Sequence, residues 1–246
     1  MLTSHRRALL LNRLQADGRL VAADLAREMS LSEDTLRRDL RQMAGEGLLL
    51  RVHGGALPLS PTHLPLARRQ GLEAAAKARL ARAAVGLLGP GQVIILDGGT
   101  TNIALAGLIP AELNATVVTH SPGIAAALEA KTGIDILLIG GRVFRHSMVA
   151  MGPGTAEAYG RLRADLCFVG VTGVQAEAGL STGDPEEAVL KGIMMRAAAE
   201  TVVLATPDKL GAASAWTIAP LGAMGRMISA GARPVWLPEG CGHSSA

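Results

Sequence analysis

Five short apolar runs, at 93–96, 115–119, 134–139, 166–171 and 202–205, punctuate the last two-thirds of the sequence, and Ala-rich stretches with helical spacing separate several of them. Each is too short for a stable helix and rich in the β-branched residues that suit strands. A strand covered on both faces by helices is apolar throughout, without the alternation of a half-solvated sheet. Strands of this kind alternating with helices predict an α/β domain built on a largely parallel sheet. Aromatic residues are only 2% of the 246, so Leu, Val, Ile, Ala and Met must build the cores. A hydrophobic fraction of 49% against 18% charged residues suits a packed chain and excludes a disordered one.

The composition changes near residue 60. The first sixty residues hold nine arginines and no lysine against seven carboxylates, a net charge of +2. The segment 57–65 then carries Pro58, Pro61 and Pro65. Proline removes a backbone donor and restricts the residue before it, which predicts an extended linker. The expected division is a small N-terminal domain at 1–57, a linker at 58–70, the α/β domain at 71–237 and a flexible tail at 238–246.

Three helical patterns fill the N-terminal part. The first, at about 4–16, turns Leu10, Leu11 and Leu14 inward and ends near Gly18. The second starts after Val21, with Val21, Leu25 and Met29 at spacings of four. After a tight turn at Ser30-Leu31, Ser32 is a good N-cap for a third helix. Glu33 and Asp34 lie in its first turn, where the helix dipole favours anions. Leu36, Leu40 and Met43 form its apolar stripe. At 100° per residue Arg38 falls opposite that stripe, flanked by Arg37 and Arg41 on one side and Thr35 on the other. A short helix with one dry stripe and an arginine face, entered by a capped turn, is what major-groove docking needs. Arginine suits that task because its planar fork chelates guanine O6 and N7 or clamps phosphates. Asp39 is expected to orient a neighbouring arginine rather than meet DNA. The run 48–55 reads as a strand reaching a glycine turn, a wing with Arg51 and His53 placed for backbone phosphates. A solvated arginine face is the commoner reading of such a trio in isolation; the preceding helix, turn and cap favour DNA.

In the α/β part, the strand at 93–96 runs into Asp97-Gly98-Gly99-Thr100-Thr101 and then a helix. Such a turn presents free backbone N–H groups and the positive helix end at the edge of the sheet, a natural phosphate site. Gly140-Gly141-Arg142, Gly170, Gly173, Gly179-Leu180-Ser181-Thr182 and Asp208-Lys209 also follow apolar runs. In a parallel sheet those strand ends share one edge, where ligands bind. Arg142 and Lys209 are candidates to neutralise phosphate, and Asp97 with Glu186 or Glu187 to read hydroxyls. A plain strand-to-helix turn and a surface lysine are the bland alternatives.

The string from Ser32 to Leu40, followed by Gly47-Leu48 and Arg51-Val52-His53-Gly54-Gly55-Ala56, resembles the DeoR family of bacterial transcriptional regulators. The resemblance continues over about 77–211 through the 97–101, Gly140-Gly141, 179–182 and 208–211 motifs. It implies a small N-terminal winged helix-turn-helix domain joined to an α/β effector domain similar to ribose-5-phosphate isomerase and CoA-transferase-like folds. That resemblance implies that Thr35, Arg37 and Arg38 belong to the DNA-reading surface; with Ser32, Arg41, Arg51 and His53, read from the residues themselves, they are expected to meet double-stranded operator DNA. It also implies a phosphorylated sugar or related metabolite at the sheet edge, where Asp97, Gly98, Gly99, Thr100, Thr101, Gly140, Gly141, Arg142, Glu186 and Lys209 are the expected effector-binding residues. Two departures stand out: Pro207-Asp208 precedes the lysine where the family carries small hydroxyl residues, and an Asp usual after the next strand is missing from 216–237.

The expected function is a repressor of a carbohydrate or polyol operon, modulated by its effector and acting as a dimer or tetramer. One winged helix reads only a short half-site. An isomerase or CoA-transferase-like enzyme with a DNA-binding appendage is the alternative, with Asp97, Glu186 and Lys209 as its possible acid–base groups. No cofactor or metal is called for, since Cys167 and Cys241 lack any CxxC or CxxH spacing. The absence of a signal-peptide pattern and of an apolar run near membrane-spanning length predicts a cytoplasmic chain with no membrane partner.

Overall fold

The computed structural model describes residues 3–17, 19–52, 54–58 and 64–246. In the N-terminal domain the order is α1 (Thr3–Asp17), β1 (Leu20–Val21), α2 (Ala22–Glu28), α3 (Glu33–Gly45), β2 (Leu50–Val52) and β3 (Gly55–Leu57). The three strands form an antiparallel sheet in the order β1-β3-β2. Leu10, Leu14, Leu25, Leu36, Leu40, Met43 and Leu49 close one core beneath them. Val21 departs from the sequence expectation: it is 37% exposed in β1, and Ala22, Leu25 and Ala26 supply the buried face of α2 instead. Gly55 is required where β3 crosses β1, because a Cβ there would lie 1.7 Å from the carbonyl oxygen of Leu20.

The expected linker at 58–70 is not extended throughout. Pro65 begins α4 (Leu66–Arg69), as a residue with fixed φ and no N–H to leave unpaired can. Then follow α5 (Ala74–Val85), β4 (Val93–Leu96), α6 (Thr100–Leu108), β5 (Ala115–Thr119), α7 (Pro122–Ala127) and β6 (Ile134–Leu138). Next are β7 (Arg142–Phe144), β8 (Val149–Met151), α8 (Pro153–Gly160), β9 (Ala164–Val169), β10 (Gly173–Gln175), β11 (Gly179–Thr182) and α9 (Pro185–Arg196). The chain ends with β12 (Ala198–Ala205), β13 (Trp216–Ala219), β14 (Arg226–Ser229) and β15 (Gly242–Ser245).

Seven strands make one parallel sheet in the order β15-β14-β12-β9-β4-β5-β6. Successive side chains of a strand point to opposite faces, and in the central strands β4, β9 and β12 both faces are dry. Ile94, Leu96, Leu166, Phe168, Val202 and Leu204 join one core, while Ile95, Cys167, Val169, Val203 and Ala205 join the other. That is why the runs of these central strands read as continuously apolar, whereas the edge strand β6 leaves Leu137 and Leu138 exposed. The β7–β8 hairpin and the antiparallel β10-β11-β13 sheet rise from the C-terminal edge. The expected flexible tail is a correction: 242–245 pair with β14 as an edge strand, and Cys241 is buried. Backbone pairing, with little apolar patterning of its own, holds this strand.

Candidate functional site

Two surfaces concentrate the chemistry. On α3, the Ser32 side chain accepts the Thr35 N–H at 3.2 Å, the N-cap bond expected from sequence and worth about 1 kcal/mol. Leu36, Leu40 and Met43 anchor one face, and Asp39 is buried beside them. Arg6 of α1 grips Asp39 with Nε–Oδ2 at 2.5 Å and Nη2–Oδ1 at 3.1 Å. This pair, both members almost wholly buried, fixes the roll of α3. Arg37 pairs with Glu33 at 2.7 Å one turn earlier, whereas Arg38 and Arg41 are exposed and have no partner among the described residues. Arg51 projects, exposed, from the β2–β3 hairpin, whose tip includes Gly54 at φ 82°. His53 lies outside the described residues.

At the other site, the C-terminal ends of β4, β5, β9 and β12 converge. Asp97 is 1% exposed, and both of its oxygens are engaged inside the protein. Oδ1 accepts the Gly98 N–H at 2.7 Å; Oδ2 accepts the Gly170 N–H and the Lys191 ammonium, each at 2.6 Å. His120 Nε2 stands 3.5 Å from Oδ1, and its Nδ1 lies 3.0 Å from the Tyr159 hydroxyl. Burial pushes the His120 pKa down to about 4, against the pull of Asp97, so this imidazole is neutral near pH 7. The Lys191 pKa is raised: burial lowers it, but the Asp97 and Glu187 carboxylates outweigh that and hold the ammonium charged. Asp97 therefore positions Lys191 and ties the β4 turn to the β9 turn. It is not a free acceptor for a ligand hydroxyl, which corrects the sequence expectation.

Two cavities flank this knot. The larger, about 510 Å³, is lined by Lys191, Glu187, Asp184, Thr172, Thr182, Ser214 and the backbones of Gly98 and Gly170. Phe144, His146 and Ser147 of the β7–β8 hairpin, Leu50 of the wing and Arg69 of α4 also line it. Its hydroxyls are pre-oriented: Thr172 Oγ1 lies 2.7 Å from Ser214 Oγ, and Thr182 donates to Glu187 at 3.2 Å. The smaller cavity, about 50 Å³, brings together Thr100, Thr101, Thr206, three cations, Lys77, Lys209 and, again, Arg69, and two carboxylates, Glu73 and Asp208. Gly99, at φ 127°, caps α6 here in a conformation that L side chains rarely adopt. Desolvation lowers the Lys209 pKa to about 8; Asp208 opposes this, while Arg69, Lys77 and Lys191 add to it. Such crowding of cations suits an anion.

Arg142, Glu186, Gly140 and Gly141 do not join these cavities. Arg142 and Glu186 pair with each other at 3.3 Å, both exposed, over a separate groove with Met151, Pro153 and Val189. Gly141 is needed for packing, since a Cβ there would lie 2.4 Å from Thr155 Oγ1. Sequence reasoning missed Lys191, Lys77 and Arg69. Lys191 had a signal: Glu187 and Lys191 share a helix face at i, i+4 after the Asp184 N-cap, amid Leu190, Met194 and Met195, where a lysine needs a buried partner.

The description "DeoR C terminal sensor domain" matches residues 72–230, and "DeoR-like helix-turn-helix domain" matches residues 6–62. The chain belongs to the DeoR family. The uncharacterized HTH-type transcriptional regulator FruR of Bacillus subtilis is 34% identical over 224 residues, covering 90% of this chain and 89% of that protein. The glycerol-3-phosphate regulon repressor of Escherichia coli is 28% identical over 199 residues, covering 80% of this chain and 79% of that protein. Among solved structures, the chain is similar to ribose 5-phosphate isomerase A from Methanocaldococcus jannaschii. That match has a TM-score of 0.40 and 21% identity, covering 55% of this chain and 53% of that one. As a DeoR-family member the chain is a DNA-binding transcriptional regulator with a sensor domain, and the enzyme alternative falls. No helix among the described residues is long and apolar enough to cross a membrane.

Proposed function

We propose that this DeoR-family chain represses a carbohydrate or polyol operon and is modulated by a phosphorylated intermediate held at the C-terminal edge of its sheet. The observation that carries this reading is the pair of adjoining cavities. One is small and cationic, with Lys209, Lys77 and Arg69 beside the hydroxyls of Thr100 and Thr101. The other is larger and lined by hydroxyls and carboxylates. A phosphate monoester bearing a hydroxylated carbon skeleton matches that division of charge. The glycerol-3-phosphate regulon repressor among the relatives supports the same class.

For DNA, Arg38 and Arg41 are the candidates for base and backbone contacts, with Thr35 and Ser32 at the helix N-terminus and Arg51 on the wing. Arg37 must exchange Glu33 for phosphate to take part. A second copy is needed because a domain of net charge +2 has little nonspecific attraction to draw on. Leu137 and Leu138, 50% and 48% exposed on the edge strand β6, support self-association as a dimer or tetramer. A thermal-shift screen of phosphorylated sugars and polyols tests the reading, because a specific ligand raises stability by mass action. A hit that also changes operator affinity supports it. Stabilisation by none, or only by unphosphorylated sugars, refutes it.

A further inference from the structure

The segment that tethers the DNA-binding domain also forms part of the sensor's cavities. Arg69 lies on α4, seventeen residues after Val52 of the wing, and is the residue that lines both the larger and the smaller cavity. Its Nε is buried without a hydrogen-bond partner among the described residues. A buried guanidinium donor left unmatched costs stability, so such a group is retained where something else satisfies it. Its surroundings are anchored: the Arg69 carbonyl accepts the Lys77 ammonium at 2.7 Å, and that ammonium also bonds the Leu72 carbonyl. At the other end of α4, the Leu66 N–H donates to the His146 carbonyl at 2.9 Å, on the hairpin that walls the larger cavity.

We propose that Arg69 is a ligand-binding residue supplied by the interdomain tether, which grips the phosphate of the effector across the junction of the two cavities. This rests on the phosphorylated-ligand reading above. Guanidinium and phosphate match in geometry, the pairing is bidentate, and it supplies the partner that Nε lacks. Desolvation lowers the Arg69 pKa, with Glu187 opposing, which is the environment an anion relieves. Ligand occupancy then fixes α4, and α4 is joined directly to the chain that carries the wing. Signal transfer needs no wire through the sheet: a ligand that prefers one position of Arg69 biases the tether by that differential affinity.

The test uses the full-length chain with inorganic phosphate as the probe. Trypsin cleaves after Arg68 and Arg69, and both products are resolved by mass spectrometry. Saturating phosphate is expected to slow these cleavages at least fivefold, while cleavage after the exposed Arg161 keeps its rate. Phosphate affinity is expected to fall at least tenfold in Arg69→Ala and less in Arg69→Lys, with Lys209→Ala as the reference for loss of the site. The trypsin arm uses the unaltered protein, so it stands even if a variant misfolds. If Lys209→Ala loses phosphate but Arg69→Ala binds normally and the tether is cleaved at its old rate, the inference is overturned and the site survives. If the unaltered chain binds no phosphate, or Lys209→Ala binds it undiminished, the phosphate site fails and this inference goes with it.

Discussion

Replacing Lys191 by Met keeps the length and apolar stem of the side chain but removes the ammonium that Asp97 holds at 2.6 Å. Breaking a buried pair by deleting one member costs about 3–5 kcal/mol, because the remaining charge is left uncompensated. Asp97 would keep the N–H groups of Gly98 and Gly170, so the low end, about 3 kcal/mol, is expected. For a domain of this size each kcal/mol shifts Tm by about 2–4 °C, giving a loss of about 6–12 °C. Asp97→Asn should cost at least as much. Both carboxylate oxygens receive backbone N–H groups, and an amide would turn its own NH2 against one of them. Urea unfolding followed by a probe of the α/β domain measures both variants, with the midpoint read at constant m. A loss below about 1 kcal/mol in Lys191→Met would refute the view that this pair pins the β4 and β9 turns together.

Two further outcomes are expected. Arg38→Ala should weaken operator binding by roughly 1–3 kcal/mol per half-site with an unchanged Tm, whereas Arg37→Ala should cost less because Glu33 already engages that guanidinium; equal losses in parallel gel-shift titrations would contradict the assignment. Phosphate affinity should decline as pH rises through about 8, since Lys209 is charged below that value and neutral above it, and an anion favours the charged form. Calorimetric titrations between pH 7 and 9.5 should show this decline in the parent and a much smaller one in Lys209→Arg, whose guanidinium stays charged over that range; a decline of equal size in both would assign the titration to another group.

Much of this was legible in the sequence because local chemistry decided it. The Ser32 cap, the Leu36, Leu40 and Met43 stripe and the doubly buried strands leave periodic or compositional marks that tertiary context did not override. What escaped depends on which strand ends become neighbours. Asp97 looks like a free carboxylate beside a glycine turn until β9 is placed next to β4, which brings the Gly170 N–H to it, and α9 is packed so that Lys191 reaches it. Arg142 and Glu186 looked like site residues because they follow glycines or a helix start, yet topology sends them to another groove. Arg69 was hidden by its proline-rich surroundings, which read as a spacer. The Gly242–Ser245 strand has no apolar signature and owes its form to the open edge of β14.

On the function proposed above, one chain reads DNA through α3 and is told to change that reading by a phosphorylated metabolite in the sensor domain. The most direct measurement is operator binding by fluorescence anisotropy, with a phosphorylated hit from the stability screen and its dephosphorylated counterpart, on the parent and Lys209→Ala. Only the phosphorylated compound is expected to shift operator affinity, and only in the parent. A shift of equal size from both compounds, or one that survives in Lys209→Ala, would contradict it.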